Sequence, residues 1–304
     1  MPVSSNVSVA GIFAHLERMA RFRVVGCGYV GQRIVACERE DGHVVDAIVR
    51  SEARCQALSH AGIVASAIDL DGQIGTGNLT GRIVYYLIPP PSTGRQDARI
   101  VNFLASIPYD GLPERIVLIS TTGVYGNASG AWVDEDSRID PSTDRARRRR
   151  FAELALTEWA AKHHIPWVIL RVPGIYGPGR LPLARIRAGT PVLNENESPW
   201  SNRIHVDDLV RACRAAARTS EINQFFNVSD GQPTTMTDYF NRLADHFGLP
   251  RPPQISMTEA RDRFSAAMLS YLDESRRISN ARMRKRLGVS PLYPDLKSGL
   301  SGMS

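Results

Sequence analysis

Three glycines near the amino end of the chain have the spacing of a phosphate-binding turn. They lie in the motif Gly26, Cys27, Gly28, Tyr29, Val30, Gly31. The motif follows the apolar run Phe22–Val25 and opens Tyr29–Glu40, a segment with helical spacing. In a strand–turn–helix of this kind the glycines permit the tight turn, the approach of a pyrophosphate and close helix packing, and the helix N-terminus supplies free N–H groups. The motif therefore predicts a dinucleotide site.

The end of the next apolar run is where such a site contacts the adenosine ribose. An acidic residue there accepts from the 2′-hydroxyl of NAD(H), but Val44–Val49 is followed by Arg50 and Ser51. A guanidinium pairs in bidentate fashion with the 2′-phosphate of NADP(H), which a carboxylate would repel. The sequence thus favours NADP(H) over NAD(H). A solvated Arg50 is the structural alternative, and Glu52 is the rival contact to the ribose.

The ends of two further runs point to the adenosine half of the same site. Asp69 and Leu70 follow Ile63–Ala67, where Asp69 is placed to meet the adenine edge. Pro89 follows Ile83–Ile88 and suits a loop beside the adenosine. Prolines that end a strand are also common for structural reasons alone.

The alternation of apolar runs with helical spacing predicts the fold. Repeated βαβ units indicate an α/β protein with a Rossmann-type, doubly wound parallel sheet. The strand-like runs are Phe22–Val25, Val44–Val49, Ile63–Ala67, Ile83–Ile88, Ile116–Ser120, Trp167–Arg171 and Phe225–Val228. The helix-like segments are Tyr29–Glu40, Glu52–Ala61, Arg95–Ile107 and Ser142–His163.

The rhythm changes at about Tyr176, after which short helices and Pro/Gly-rich loops prevail. We expect residues 21–175 to form the NAD(P)-binding domain and 176–304 a smaller, substrate-side portion, with 205–230 returning to the sheet. Residues 1–20 form an extension. Because the segment beginning at Met19 already has the composition of a first Rossmann strand, we expect either that the natural chain starts there or that residues 1–18 form a loosely attached helix.

The composition excludes several classes of protein. The chain has 304 residues, and 37 Lys and Arg against 31 Asp and Glu give a formal net charge of +6. Its four cysteines have no CxxC spacing, so neither a disulfide framework nor a metal site is expected. The same cysteine pattern predicts a reducing, cytoplasmic location. We expect no membrane span, since no apolar run approaches about 20 residues. No nucleic-acid-reading motif accompanies the modest positive charge, so no nucleic-acid partner is expected.

Four later segments carry a family resemblance when taken together and in order. They are Ile119–Gly126, Arg171–Gly179, Arg203–Leu209 and Asn227–Asp230. With them the chain resembles the short-chain dehydrogenase/reductase superfamily, in its extended or atypical epimerase/dehydratase branch, from about Arg21 to Leu300. The resemblance implies that Thr121 or Thr122 hydrogen-bonds a substrate oxygen and that Val172 and Pro173 face the nicotinamide. His205 is interpreted as a packed core histidine rather than a base.

The resemblance also implies a Tyr-x-x-x-Lys pair, which this chain lacks. In such a pair the phenol exchanges a proton with the substrate, while the lysine lowers the phenol pKa and holds the ribose. Aligned on Glu153, Arg145 occupies the tyrosine position and Arg149 the lysine position. No tyrosine lies between Tyr125 and Tyr176, so a shifted alignment does not restore the pair.

Arginine changes the chemistry at both positions. A guanidinium stays protonated, so Arg145 cannot act as a general acid or base. Arg149 can still donate to the ribose, and the two together can clamp a carboxylate or phosphate. The alternative is a solvated, arginine-rich helix face, on which Arg147, Arg148 and Arg150 are expected to lie.

Two functions remain open. The first is an atypical NADP(H)-dependent oxidoreductase or epimerase acting on a small anionic substrate, with water or Tyr125 relaying the proton. Gly174 and Ser201 depart from the residues of many sugar-nucleotide epimerases, which weakens that substrate class. The second is a dinucleotide-binding sensor without catalysis. In either case the resemblance implies a homodimer through helices that include the arginine-bearing one.

Overall fold

A parallel sheet of seven strands forms the centre of the structure. The computed structural model describes residues 19–72 and 75–303, so the expectations for residues 1–18 lie outside the described residues. The strands are β1 (Arg21–Val25), β2 (Val44–Val49), β3 (Val64–Ala67), β4 (Arg82–Tyr86), β5 (Arg115–Thr121), β6 (Trp132–Val133), β7 (Trp167–Val172), β8 (Gly174–Tyr176), β9 (Val192–Leu193), β10 (Trp200–Ser201), β11 (Arg203–His205), β12 (Gln224–Asn227), β13 (Thr234–Thr235), β14 (Gln254–Ile255) and β15 (Arg277–Ile278). The order in the central sheet is β12-β7-β5-β4-β1-β2-β3, and every pairing in it is parallel.

Helices cover both faces of this sheet, and further helices form a separate layer described below. The helices in chain order are α1 (Tyr29–Glu40), α2 (Glu52–His60), α3 (Ala98–Ala105), α4 (Asp144–His163), α5 (Leu183–Arg187), α6 (Val206–Arg218), α7 (Met236–His246), α8 (Met257–Arg263), α9 (Ala266–Leu272), α10 (Ala281–Lys285) and α11 (Leu296–Leu300). Because side chains alternate across a strand, Val24 packs with the α1 and α6 side, whereas Val25 packs with the α3 and α4 side. Strands buried on both faces need near-continuous Val, Ile and Leu, as this sequence has.

The Rossmann-type fold predicted from the sequence is confirmed. The seven strand-like runs correspond to the seven central strands with shifts of one or two residues, and Tyr29–Glu40 is α1 residue for residue. The direction of strand order reverses between β1 and β4, which is the place where ligands bind in open α/β sheets.

A smaller layer lies over one end of the sheet. It contains α5, α7, α8 and α9, whose apolar side chains form two clusters separate from the sheet core. The chain returns to the sheet through α6 and β12, and β12 pairs with β7 at the sheet edge. No helix among the described residues is long and apolar enough to cross a membrane.

Candidate active site

The glycine turn between β1 and α1 is shaped by two close approaches. Gly26 has φ +98°, and a Cβ there would lie 2.8 Å from Ile88 Cγ1. A Cβ on Gly31 would lie 2.8 Å from the carbonyl oxygen of Gly26. A Cβ on Gly28, by contrast, would meet no atom within 4 Å. Gly26 and Gly31 therefore allow the close packing of the turn, while the open side of Gly28 is available to a ligand.

A cleft of about 530 Å³ lies in front of this turn. Its walls come from the carboxyl ends of β1, β2, β3, β4 and β5 and from α4. The predicted cofactor residues on these walls are Gly26, Gly28, Tyr29, Val30, Gly31, Arg50, Asp69, Leu70, Pro89 and Arg149. The sequence analysis did not single out Arg54, Arg99 and Arg180, which also line the cleft.

Arg50 does not lie alone at the end of β2. Its guanidinium is 3.3 Å from Asp69 Oδ2 and 3.3 Å from Asp71 Oδ2, and the side chain is 67% exposed. Asp71 is shared with Arg99, which donates to both its oxygens at 2.6 and 2.7 Å. Hydrogen bonds from Arg99 hold the pKa of Asp71 below its usual range. Arg50 is thus a solvent-accessible cation with long ion-pair contacts to Asp69 and Asp71.

Tyr29 connects the glycine turn to the opposite wall of the cleft. Its hydroxyl donates to the carbonyl oxygen of Pro178 at 3.0 Å, and the guanidinium of Arg180 lies 5.1 Å from its ring centroid. Arg180 is exposed and directly follows the glycine-containing turn after β8. Its position directly after that turn is the sequence signal that could have identified Arg180 as a cleft residue.

A second cavity, of about 570 Å³, adjoins the cleft. We call it the arginine cavity, because its walls carry five guanidinium groups and one carboxylate. These groups are Arg145, Arg149, Arg180, Arg203, Arg276 and Glu274. The cavity and the cleft share part of their walls, namely Pro89, Ile119, Arg149, Ile175 and Arg180.

The segments around Thr121 and Pro173 form part of the wall of the arginine cavity. Thr121, Thr122, Val172 and Pro173 all line the arginine cavity. The Thr121 hydroxyl oxygen accepts from the backbone N–H of Gly123 at 3.1 Å and caps a short 3₁₀ turn. Its own proton is therefore free to be donated to a ligand.

Arg149 lies at the junction of the cleft and the arginine cavity. Its Nη1 donates to the carbonyl oxygen of Ile88 at 3.0 Å, which fixes the guanidinium beside the end of β4. Arg145 points elsewhere, because its Nη1 donates to Ser270 Oγ at 2.6 Å and its guanidinium stacks 3.6 Å from the ring centroid of Tyr271. The structure therefore places the two arginines on one wall but gives Arg145 protein partners in α9.

The structure does not place Tyr125 on the arginine cavity. Its side chain is 3% exposed; its hydroxyl donates to Asn227 Oδ1 at 2.8 Å and accepts from Arg171 at 3.1 Å. A buried phenol with both hydrogen-bonding capacities used cannot reach a substrate. The proton relay that the sequence analysis considered for Tyr125 therefore has no support in this geometry.

Arg171 belongs to a buried ion pair behind the site. Its guanidinium donates to both oxygens of Glu153 at 3.0 Å, and Ser120 and Arg150 add further hydrogen bonds to that carboxylate. The expectation that Arg148 and Arg150 lie on the surface is corrected by these contacts. Arg148 is 7% exposed and donates to the carbonyl oxygen of Gly94.

His205 and Asp208 have structural partners. The imidazole, 2% exposed, accepts from the backbone N–H of Asp207 and packs between the rings of Tyr176 and Tyr293. Burial lowers the pKa of His205. Asp208 accepts from the backbone N–H groups of Leu292 and Tyr293 at 2.8 and 2.9 Å, which fastens the C-terminal segment to α6.

Comparison with known proteins finds a family to which part of the chain is similar. The sequence model of the NAD-dependent epimerase/dehydratase family matches residues 92–229, which include the segments around Thr121, Arg149 and Pro173. Over these residues the chain is similar to this family. The central sheet has the Rossmann-type fold of the solved epimerases, and the chain lacks the Tyr-x-x-x-Lys pair on α4.

Individual relatives extend this similarity along most of the chain. Protein YeeZ of Escherichia coli K12 is 24% identical over 294 residues, which cover 91% of this chain and 97% of the relative. A conserved protein of unknown function from Silicibacter pomeroyi is 27% identical with a TM-score of 0.79, over 93% of this chain and 97% of the other. UDP-glucuronic acid 4-epimerase from Bacillus cereus, solved with NAD, has a TM-score of 0.72 at 18% identity, over 92% and 96% of the two chains.

Proposed function

We propose that this protein is an atypical NADP(H)-dependent oxidoreductase or epimerase acting on a small anionic substrate. The observation that carries the proposal is the wall shared by the cleft and the arginine cavity. A dinucleotide with its pyrophosphate on the glycine turn would extend past Arg149 towards Val172 and Pro173. Its nicotinamide end would then face a cavity lined by arginines.

The preference for NADP(H) rests on two guanidiniums at the adenosine end. Arg50 is held only by loose contacts, and Arg54 lines the same part of the cleft on the first turn of α2. A 2′-phosphate can replace Asp69 and Asp71 as the partner of Arg50, because Asp71 keeps its bidentate pair with Arg99. The phosphate would also lie near the N-terminus of α2, where negative charge is stabilised.

The anionic substrate follows from unbalanced charge in the arginine cavity. Among the described residues, no carboxylate lies within 4 Å of the guanidiniums of Arg149, Arg180 or Arg203. Of the other two, Arg276 pairs closely with Glu274, and Arg145 is 3.9 Å from the same carboxylate. Arg149 and Arg203 are partly buried, which is costly for a cation without a partner, and a bound carboxylate or phosphate would supply one.

The proposed reaction needs a proton donor in place of the missing tyrosine. When bound, NADPH supplies a hydride to a carbonyl carbon, or NADP⁺ accepts one from a hydroxyl-bearing carbon. Thr121 can donate its hydroxyl proton in a hydrogen bond to the substrate oxygen. Among the described residues of the cavity wall, Tyr271 is the one phenol, and Arg145 stacks on its ring. We assign to Tyr271 the proton transfer that the family performs with its helix tyrosine.

Calorimetric titration tests the cofactor assignment. NADPH should bind at least tenfold more tightly than NADH, and Arg50→Ala should remove most of that difference while leaving the NADH affinity unchanged. Arg95→Ala is the matched control, because Arg95 is an exposed arginine outside the cleft. Equal affinities for the two cofactors in the natural protein would refute the NADP(H) assignment.

A catalytically inactive sensor is the second candidate function. It is favoured by the commitment of Arg145 to Ser270 and Tyr271 at the position where the family keeps its phenol. A cofactor-turnover screen against anionic ketones, hydroxy acids and sugar nucleotides separates the two. Turnover of any anionic substrate supports the enzyme. If the natural protein is inactive and Arg145→Tyr with Arg149→Lys creates activity, the sensor is supported.

A further inference from the structure

A third space opens beside the arginine cavity and differs from it in chemistry. It has a volume of about 230 Å³ and shares Arg203, Met236 and Tyr271 with the arginine cavity. We call it the side pocket. Its remaining walls are largely apolar and include Val192, Leu193, Phe240, Phe264, Met268 and Leu272.

The polar groups on the side pocket's wall are largely occupied. The Thr237 hydroxyl donates to the carbonyl oxygen of Leu193 at 2.7 Å, and Ser198 Oγ accepts from the Thr237 backbone N–H at 3.0 Å. Arg185 borders the pocket with its guanidinium 5.0 Å from the ring centroid of Phe240, and its buried Nε has no hydrogen-bond partner among the described residues. Apart from the guanidiniums of Arg185 and Arg203, few donors or acceptors are left to recognise the polar edges of a base or sugar, so the walls favour a mainly apolar group.

The arginine cavity carries five guanidinium groups and one carboxylate, whereas the side pocket carries two guanidinium groups among mainly apolar side chains. Arg203 lies at the junction, stacked 3.9 Å from the Tyr239 ring centroid and donating to the carbonyl oxygen of Asn202 at 2.9 Å. Tyr271 presents its aromatic ring to both spaces. A ligand that fills both must therefore carry negative charge on the arginine side and apolar surface beyond Tyr271.

We propose, on the basis of the function proposed above, that the substrate is an amphiphile. An anionic head with the reacting carbon would bind in the arginine cavity, and an apolar chain would bind in the side pocket. An apolar cavity of about 150 Å³ accommodates benzene, so 230 Å³ has room for roughly nine carbons.

Linear alkyl phosphates of two to ten carbons provide the probe. Their binding to the NADPH-saturated protein is measured by calorimetry at concentrations below micelle formation. Affinity should rise about threefold to fourfold per methylene and level off near the longest chains, where the side pocket is full. Met268→Trp should flatten this dependence by filling the pocket, and Met268→Glu should reverse it by placing a charge there.

A matched substitution controls for general effects of an added indole. Leu292→Trp introduces the same side chain at an exposed position outside the pocket, and it should leave the chain-length dependence unchanged. Affinity that does not vary with chain length, or UDP-glucose that displaces octyl phosphate and binds more tightly, would overturn the amphiphile. Failure of every alkyl phosphate to bind the NADPH complex would overturn the anionic substrate as well, whereas failure of NADPH to bind would refute the proposed function itself.

Discussion

At the scale of single residues, the site shows how a lost side chain changes the roles of its neighbours. Arg145, which the sequence resemblance aligns with a catalytic tyrosine, contacts Ser270 and Tyr271 in α9. Tyr125, a tyrosine close by in sequence, serves the buried Arg171–Glu153 pair. The sequence could indicate that Arg145 is not a proton donor, but not that a phenol arrives from more than a hundred residues away.

Tyr271→Phe tests the assignment of the proton donor. The phenylalanine keeps the ring under Arg145 but removes the hydroxyl, so turnover should fall by about 10²- to 10⁴-fold with little change in cofactor affinity. Tyr109→Phe, at an exposed position outside the cavity wall, should leave turnover and cofactor affinity unchanged. Undiminished turnover by Tyr271→Phe would exclude the role.

Asp230 gives the protein a predictable pH dependence of stability. Burial raises its pKa to about 7, above the value of about 3.9 in an unfolded chain. The native state therefore binds more protons than the unfolded state between about pH 4 and pH 7, and stability falls as pH rises through this window.

Asp230→Asn should remove that contribution while keeping an oxygen for the backbone N–H of Gln232. The free energy of unfolding of the variant, relative to the natural protein, should increase by roughly 2 to 4 kcal/mol between pH 4 and pH 7. Urea unfolding at several pH values measures it. Asp273→Asn, at an exposed carboxylate, should follow the natural protein, and a constant difference across the window would contradict the expectation.

At the scale of elements, the sequence predicted those helices, strands and turns whose structure depends on local sequence patterns. Continuous apolar runs and the glycine spacing predicted β1, α1 and the turn between them, because these features are set by local geometry. The arginine run in α4 was less informative, since four identical side chains do not reveal which face is buried. Only tertiary packing places Arg148 inside and Arg147 with Asp144 at the surface. Tyr271 and Arg276 lie in no motif, and long-range contacts alone place them on the wall of the arginine cavity.

In the glycine turn, Gly26 is required by the fold, whereas Gly28 is expected to be required for ligand binding. Gly26→Ala places a Cβ against Ile88 in a left-handed backbone, so it should cost at least 1 to 3 kcal/mol of stability. Gly28→Ala meets no protein atom and should leave the free energy of unfolding within about 0.5 kcal/mol. Because the open side of Gly28 faces the cleft, this variant should nevertheless bind NADPH at least tenfold more weakly. Unimpaired NADPH binding by Gly28→Ala would contradict the placement of the pyrophosphate.

At the scale of the whole molecule, the cofactor cleft and the substrate-side layer are joined through several long-range contacts. Asp208 at the start of α6 binds the backbone before α11, and Ser142 before α4 donates to Glu274 at 2.6 Å. β12 follows α6 and closes the edge of the central sheet. These contacts connect segments that are far apart in the sequence, and the contact of Ser142 with Glu274 connects the start of α4 to the wall of the arginine cavity.

These connections predict one cooperative unfolding transition. A variant with Trp132→Phe, Trp159→Phe and Trp167→Phe leaves Trp200, on the wall of the arginine cavity, as the fluorescent reporter. Its fluorescence and its far-ultraviolet circular dichroism, which reports mainly on the helices around the sheet, should give coincident urea transitions. NADPH at 100 times its dissociation constant should shift both by about 2.7 kcal/mol. If the Trp200 transition came first and did not respond to NADPH, the arginine cavity would unfold independently of the cofactor site, and the close coupling that the proposed reaction requires would be absent.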